Sequence, residues 1–108
     1  KATPQRMRKE MIEYIPNVFS TNGDGVNDWF FIHSDPSSVR QIRQLRIYDR
    51  WGEEVFVQQG GRTNDPGIGW DGNFRGQRMS PGVFTYFAEL ELVDGLTQRY
   101  RGDVSLLR

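Results

Sequence analysis

The chain has no cysteine, a single histidine, no long apolar run and no excess of charge of either sign. Without cysteine there are no disulfides, no zinc-thiolate sites and no thiol nucleophiles, although this does not assign a compartment, since many exported bacterial proteins also lack it. Hydrolytic chemistry needs a nucleophile, a base and a group that orients them. His33, beside Ser34 and Asp35, reads as a surface-loop residue, and there is no Gly-x-Ser-x-Gly elbow to hold a serine nucleophile. The carboxylates mostly stand beside glycine or on alternating polar faces rather than as a glycosidase pair. An enzyme is therefore not expected. No stretch approaches the roughly 18 apolar residues that a membrane-spanning helix requires, and no signal-peptide pattern opens the chain. Its first residue is Lys1, which reads as a processed chain or a fragment.

What is present suits one small domain. A chain of 108 residues buries roughly two thirds of the surface that its unfolded form exposes. With 36% hydrophobic residues, much of the burial falls to three Trp, four Tyr and seven Phe. Lys1, Arg6, Arg8 and Lys9 against Glu10 leave residues 1–12 at +3 and the remainder at −3. A mildly acidic body argues against nucleic acid as partner. Arg40, Arg43, Arg46 and Arg50 form a local basic run that reads as a solvated strand face.

Residues 1–14 are polar and basic and read as a linker or N-terminal extension, or as a short helix capped by Thr3-Pro4. From Ile15 onward the signals are those of strands and turns. Ile15–Phe19 predicts a first short strand, and Asn22-Gly23 with Asp24-Gly25 predicts a turn, since these residues tolerate positive φ. Trp29–Ile32 reads as a buried run. In Gln41–Tyr48, Leu45 and Ile47 alternate with polar neighbours, and Val55 and Val57 continue the alternation beyond Asp49-Arg50-Trp51-Gly52, so the two strands should pair as a hairpin.

Residues 58–82 are too broken by Gly, Asn, Asp and Pro for a helix and read as an ordered crossover or loop. Phe84, Tyr86, Ala88, Leu90 and Leu92 then share one face of a long strand, Asp94-Gly95 turns it, and Tyr100, Val104 and Leu106 line the return. About seven short strands without a helical period predict an all-β, immunoglobulin-like antiparallel β-sandwich. Leu45, Ile47, Val55, Tyr86, Leu90, Val104 and Leu106 are expected inside. Gly23, Gly25, Gly52, Gly72 and Gly82 are expected to serve structural turns, with Gly25 and Gly52 at positive φ or in close backbone contact.

Two constellations admit a functional reading. Asn22, Asp24 and Asp28 surround a sharp glycine turn, as oxygen ligands of calcium do. Aligned on an EF-hand loop, Ser20, Asn22 and Asp24 take the first ligand positions and Gly25 the turn, but the closing acid would fall on Phe31. Either weak calcium binding or a turn held by Asn and Asp side chains fits; no other cofactor is expected. Arg50-Trp51-Gly52 and Trp70-Asp71-Gly72 each set a bulky ring before a turn. Either the rings close the ends of the sandwich, or ring and Arg together form a recognition patch.

In order, Ile15-Pro16-Asn17-Val18-Phe19-Ser20-Thr21-Asn22-Gly23-Asp24-Gly25-Val26-Asn27-Asp28, Ile47-Tyr48-Asp49-Arg50-Trp51-Gly52-Glu53-Glu54-Val55-Phe56, Trp70-Asp71-Gly72, Pro81-Gly82-Val83-Phe84 and Gly102-Asp103-Val104-Ser105-Leu106-Leu107-Arg108 resemble the gliding motility-associated C-terminal domain, the type B sorting domain of Bacteroidetes type IX secretion. Ser20-Thr21 departs from a common Thr-Pro pair, and Phe84 from the usual Tyr. The resemblance, over residues 15–108, implies a carboxy-terminal address on an exported protein that passes the periplasm and outer membrane to the cell surface or medium. It implies as partners the translocon and an outer-membrane β-barrel of the PorP/SprF type. On this reading partner recognition falls to Asn22, Asp24, Asp28, Arg50, Trp51, Trp70, Asp71 and Arg108. Rival readings are an immunoglobulin-like spacer or adhesion domain, similar also to the hook-capping family's domain, and a weak calcium- or glycan-binding module.

Overall fold

The computed structural model describes residues 15–23, 28–35 and 37–108. It contains seven strands: β1 Val18–Ser20, β2 Val39–Tyr48, β3 Glu54–Gln59, β4 Asn73–Phe74, β5 Gln77–Arg78, β6 Gly82–Leu92 and β7 Thr97–Leu107. Five form one sheet in the order β1-β7-β6-β2-β3, and β4-β5 form a separate two-stranded hairpin. The fold is all-β and sandwich-like, as the strand and turn signals predict. It is not antiparallel throughout: β1 lies parallel to β7, with Phe19 opposite Leu106. Turn chemistry signals only pairings between neighbours in sequence, and these two strands stand at opposite ends of the chain.

Apolar positions Val39, Ile42, Leu45 and Ile47 do not keep a period of two, yet all four are buried. Register shifts against β6 explain this. Arg40 and Arg43 are each the extra residue at a β-bulge, so Val39, Ile42 and Leu45, spaced three apart, return to the same face. A third shift falls in β3, where Ile47 pairs with Phe56 and Tyr48 with Glu54, leaving Val55 as the extra residue. Val55 is buried and Phe56 packs on the core. Val57 is thereby turned outward, against the simple alternation expected of it.

Of the expected core, Leu45, Ile47, Val55, Leu90, Val104 and Leu106 are buried, whereas Tyr86 is only half-buried. Its ring lies over Gly102, the residue that it faces across the β6–β7 pair: a Cβ on Gly102 would stand 2.8 Å from the Tyr86 hydroxyl. The ring also meets Phe30 at 5.6 Å between centroids, and burial, then the Asp103 charge, push the phenol pKa up.

The second layer is mostly irregular chain. Phe30 and Trp70 form an isolated antiparallel bridge, with N···O distances of 2.8 and 2.9 Å. Gly69 permits the approach, since a Cβ there would stand 2.5 Å from the Phe30 carbonyl oxygen. The Asn64 side chain acts like a further strand residue, accepting from the Ser34 N–H at 3.0 Å and donating to the Ser34 carbonyl at 2.8 Å. Inside, Trp70 meets Phe19 at 5.5 Å and Phe84 edge-on at 5.0 Å between ring centroids. Full burial of one such side chain contributes about 1.5–3 kcal/mol. The β4–β5 turn sets both Arg75 and Gly76 at positive φ. Arginine carries little turn signal, so the sequence suggests no hairpin here.

Candidate recognition surface

The two Trp-Gly turns have opposite fates. At Trp70-Asp71-Gly72 the ring is 1% exposed, and its indole N–H donates to the Asn73 carbonyl at 2.9 Å. Trp70 closes the core, so its assignment to partner contact is corrected: a ring enclosed on all sides offers no surface. Asp71 holds the turn, its carboxylate accepting from the Asn73 N–H at 3.0 Å and the Asn73 amide at 3.1 Å. Gly72 has φ 83° and packs beside Thr21, Leu106 and Arg108.

At Arg50-Trp51-Gly52 the core-closure reading fails, for the ring is 80% exposed. The turn beneath it is tightly specified. Asp49 donates its N–H to the Glu53 carbonyl at 2.9 Å, and its carbonyl accepts from the Gly52 N–H at 3.0 Å. One carboxylate oxygen of Asp49 accepts from both the Trp51 and Glu53 N–H groups at 2.9 Å. Gly52 takes φ 84°, as expected. Four hydrogen bonds therefore hold up an exposed indole, which keeps low the entropy that would be lost on docking.

Beside this tip is a pocket of about 300 Å³ between Asp49, Arg50 and Trp51 on one side and Met79, Ser80, Val83 and Phe84 on the other. Val83 is 54% exposed at its rim. Gly82 does not make a turn; it opens β6 with ordinary φ. Its bare Cα leaves room for Arg50, whose Nη2 would lie 2.8 Å from a Cβ there. The guanidinium sits 4.9 Å from the Trp51 ring centroid, a cation–π contact. Asp49, Met79 and Val83 belong to this surface although sequence reasoning did not single them out. Only Asp49 left a signal, an Asp three residues before a turn glycine.

The other sequence candidates lie elsewhere. Arg108 is engaged inward, its guanidinium donating to the Thr21 hydroxyl and the Met79 carbonyl. Burial, then the nearby Arg78 charge, pull its pKa down. Arg108 thereby clamps the segment after β1 to the segment before β6. Asp24 and Gly25 lie outside the described residues, as do residues 1–14. At their margin Gly23, with φ 80°, donates its N–H to the Asp28 carboxylate at 3.1 Å. Among the described residues no three His, Cys, Asp or Glu side chains gather as metal ligands would.

The basic run is largely neutralised within the sheet. Glu91 pairs with Arg40 at 3.1 Å and Arg43 at 3.3 Å, and Glu54 with Arg46 at 2.6 Å. Glu89 accepts from Gln44 at 2.9 Å and Arg99 at 2.7 Å. Among the described residues no carboxylate lies in ion-pair range of Arg50.

A family model described as the CHU_C Type IX secretion signal domain matches residues 13–106. No curated protein matches the chain.

Proposed function

The chain belongs to the type IX secretion signal domain family, and from that membership we propose that the signal is read at the Arg50–Trp51 tip, by an outer-membrane β-barrel of the PorP/SprF type. The sorting role follows from the family itself: the domain is a C-terminal signal, and a protein that carries it is exported to the cell surface or secreted. It is a secretion-signal family rather than an enzyme family, and the readings as spacer, adhesion or glycan-binding module give way to it. We also infer that the domain acts as a signal rather than as a catalyst, because the family to which it belongs is a secretion-signal family.

The observation that carries the placement is Trp51, an 80% exposed ring on a turn held by its own hydrogen bonds. Binding energy concentrates in few residues, Trp and Arg above all. A reporter fused ahead of residues 1–108, with an ordinary export signal, should reach the medium or surface of a host that has type IX secretion. Trp51→Ala should keep the fold and strand the reporter in the periplasm. Retention of the parent fusion there would refute the sorting role in that host; secretion of the Trp51→Ala fusion at the parent rate would refute the tip as the surface that is read.

A further inference from the structure

We propose that the tip receives an apolar side chain flanked by a carboxylate, the apolar group entering the pocket between Trp51 and Val83 and the carboxylate meeting Arg50, with Gly82 as the positioning residue that makes the site. This rests on the tip being the surface that is read. It adds the chemistry of what is bound.

The pocket supplies the first half. Trp51, Val83, Phe84 and Met79 offer apolar walls around about 300 Å³, room for one aliphatic or aromatic side chain but not for a folded element. Charge supplies the second half. Arg40, Arg43 and Arg46 spend their charge on Glu91 and Glu54, while Arg50 has no carboxylate in range among the described residues. The acids nearby do not change this. Asp49 lines the pocket, but one of its oxygens is held by the two N–H groups of its own turn. Glu53 is exposed and makes no ion pair with Arg50. A guanidinium held over a ring, with no carboxylate in range among the described residues, is matched by an incoming carboxylate.

Gly82 explains why Arg50 is there. A methyl group at that position would stand 2.8 Å from Arg50 Nη2. The obstructed atom is the far end of a flexible side chain and Gly82 has no positive φ, so an alanine there displaces the guanidinium without distorting the sheet.

The test uses the same reporter fusion, with Arg50→Lys, Arg50→Gln, Arg50→Glu and Gly82→Ala, each checked for parental melting behaviour, and Trp51→Ala as reference. Export should fall in the order parent, Lys, Gln, Glu, with Gln about tenfold down and Glu lower still, because a reversed charge repels a carboxylate where a neutral side chain merely fails to bind it. Gly82→Ala should fall between the parent and Arg50→Gln, since it moves the guanidinium without removing it, and adding it to Arg50→Gln should change little. If Trp51→Ala abolishes export while Arg50→Gln and Gly82→Ala are exported like the parent, the tip is read but the carboxylate pairing is wrong. Arg50→Glu exported at least as well as Arg50→Gln overturns the sign of the partner's charge. If Trp51→Ala itself is exported normally, the tip reading fails and this inference falls with it.

Discussion

Trp51 and Trp70 precede a turn glycine in nearly the same way, yet truncating them should have very different consequences for stability. Trp70→Ala removes a fully enclosed ring that touches Phe19, Phe56 and Phe84 and donates to the Asn73 carbonyl. Large-to-small changes of this kind cost about 3–5 kcal/mol, a fifth or more of the roughly 5–15 kcal/mol that holds a typical domain together. Trp51→Ala removes a ring that is already 80% exposed and opens one wall of the pocket that it shares with Val83 and Phe84. The main contact it forfeits is with Arg50, about 0.5–1 kcal/mol at a solvent-exposed site. The two variants should therefore differ by about 2–4.5 kcal/mol, subtracting the second estimate from the first. Urea titrations followed by far-ultraviolet circular dichroism read this directly, without depending on the fluorescence of the tryptophans being changed. Trp70→Ala should show a much lower midpoint with an unchanged slope, or be unfolded in buffer, while Trp51→Ala should stay near the parent. Unfolding free energies, midpoint times slope, that agree for the two variants to within about 0.5 kcal/mol, the scale of ordinary surface substitutions, would refute the assignment of one ring to the core and the other to the surface.

Gly102→Val should cost about 1–3 kcal/mol by overpacking, since the Tyr86 ring occupies the space above Gly102; Tyr86→Ala in the same chain should recover part of the loss in a thermal melt, and no recovery would place the strain elsewhere. Gly52→Val meets no atom within 4 Å, so its cost should be the backbone's alone, about 1–2 kcal/mol for a left-handed residue, with Gly52→Asn melting close to the parent. Glu89 is held below the usual carboxylate range by Gln44 and Arg99, and Glu91 by Gln41, Arg43 and Arg40. A depressed folded-state pKa stabilises above the unfolded value of about 4.3 and is lost as pH falls through the folded pKa. The melting temperature should thus drop on acidification below about pH 4.3, and less steeply in Glu89→Gln with Glu91→Gln; an equal drop would assign the acid sensitivity to other carboxylates. Calorimetry with calcium should be flat, because in Asn22–Asp28 only Asp24 and Asp28 carry charge; saturable heat would restore the calcium reading.

What the sequence determined by itself was short in range. The Asp94-Gly95 and Asp49–Gly52 turns, the pairing of their flanking strands and the buried side of β6 follow from the φ tolerance of glycine and from alternation along a pleat. The ordered motifs also pointed to the family, because they are spelled in consecutive residues. Several features depended on the tertiary structure alone. Bulges at Arg40, Arg43 and Val55 put Ile42 inside and Val57 outside, and a bulge forms between two strands rather than along one. The parallel pairing of β1 with β7 joins segments with most of the chain between them. Gly82 reads as a turn residue in sequence, and only the position of Arg50 above it reveals a notch. The same limit governs the two tryptophans. Burial is a property of what surrounds a side chain, and nothing within a few residues of Trp51 or Trp70 records that Phe19, Phe56 and Phe84 gather around one ring while the other stands at the open end of a hairpin.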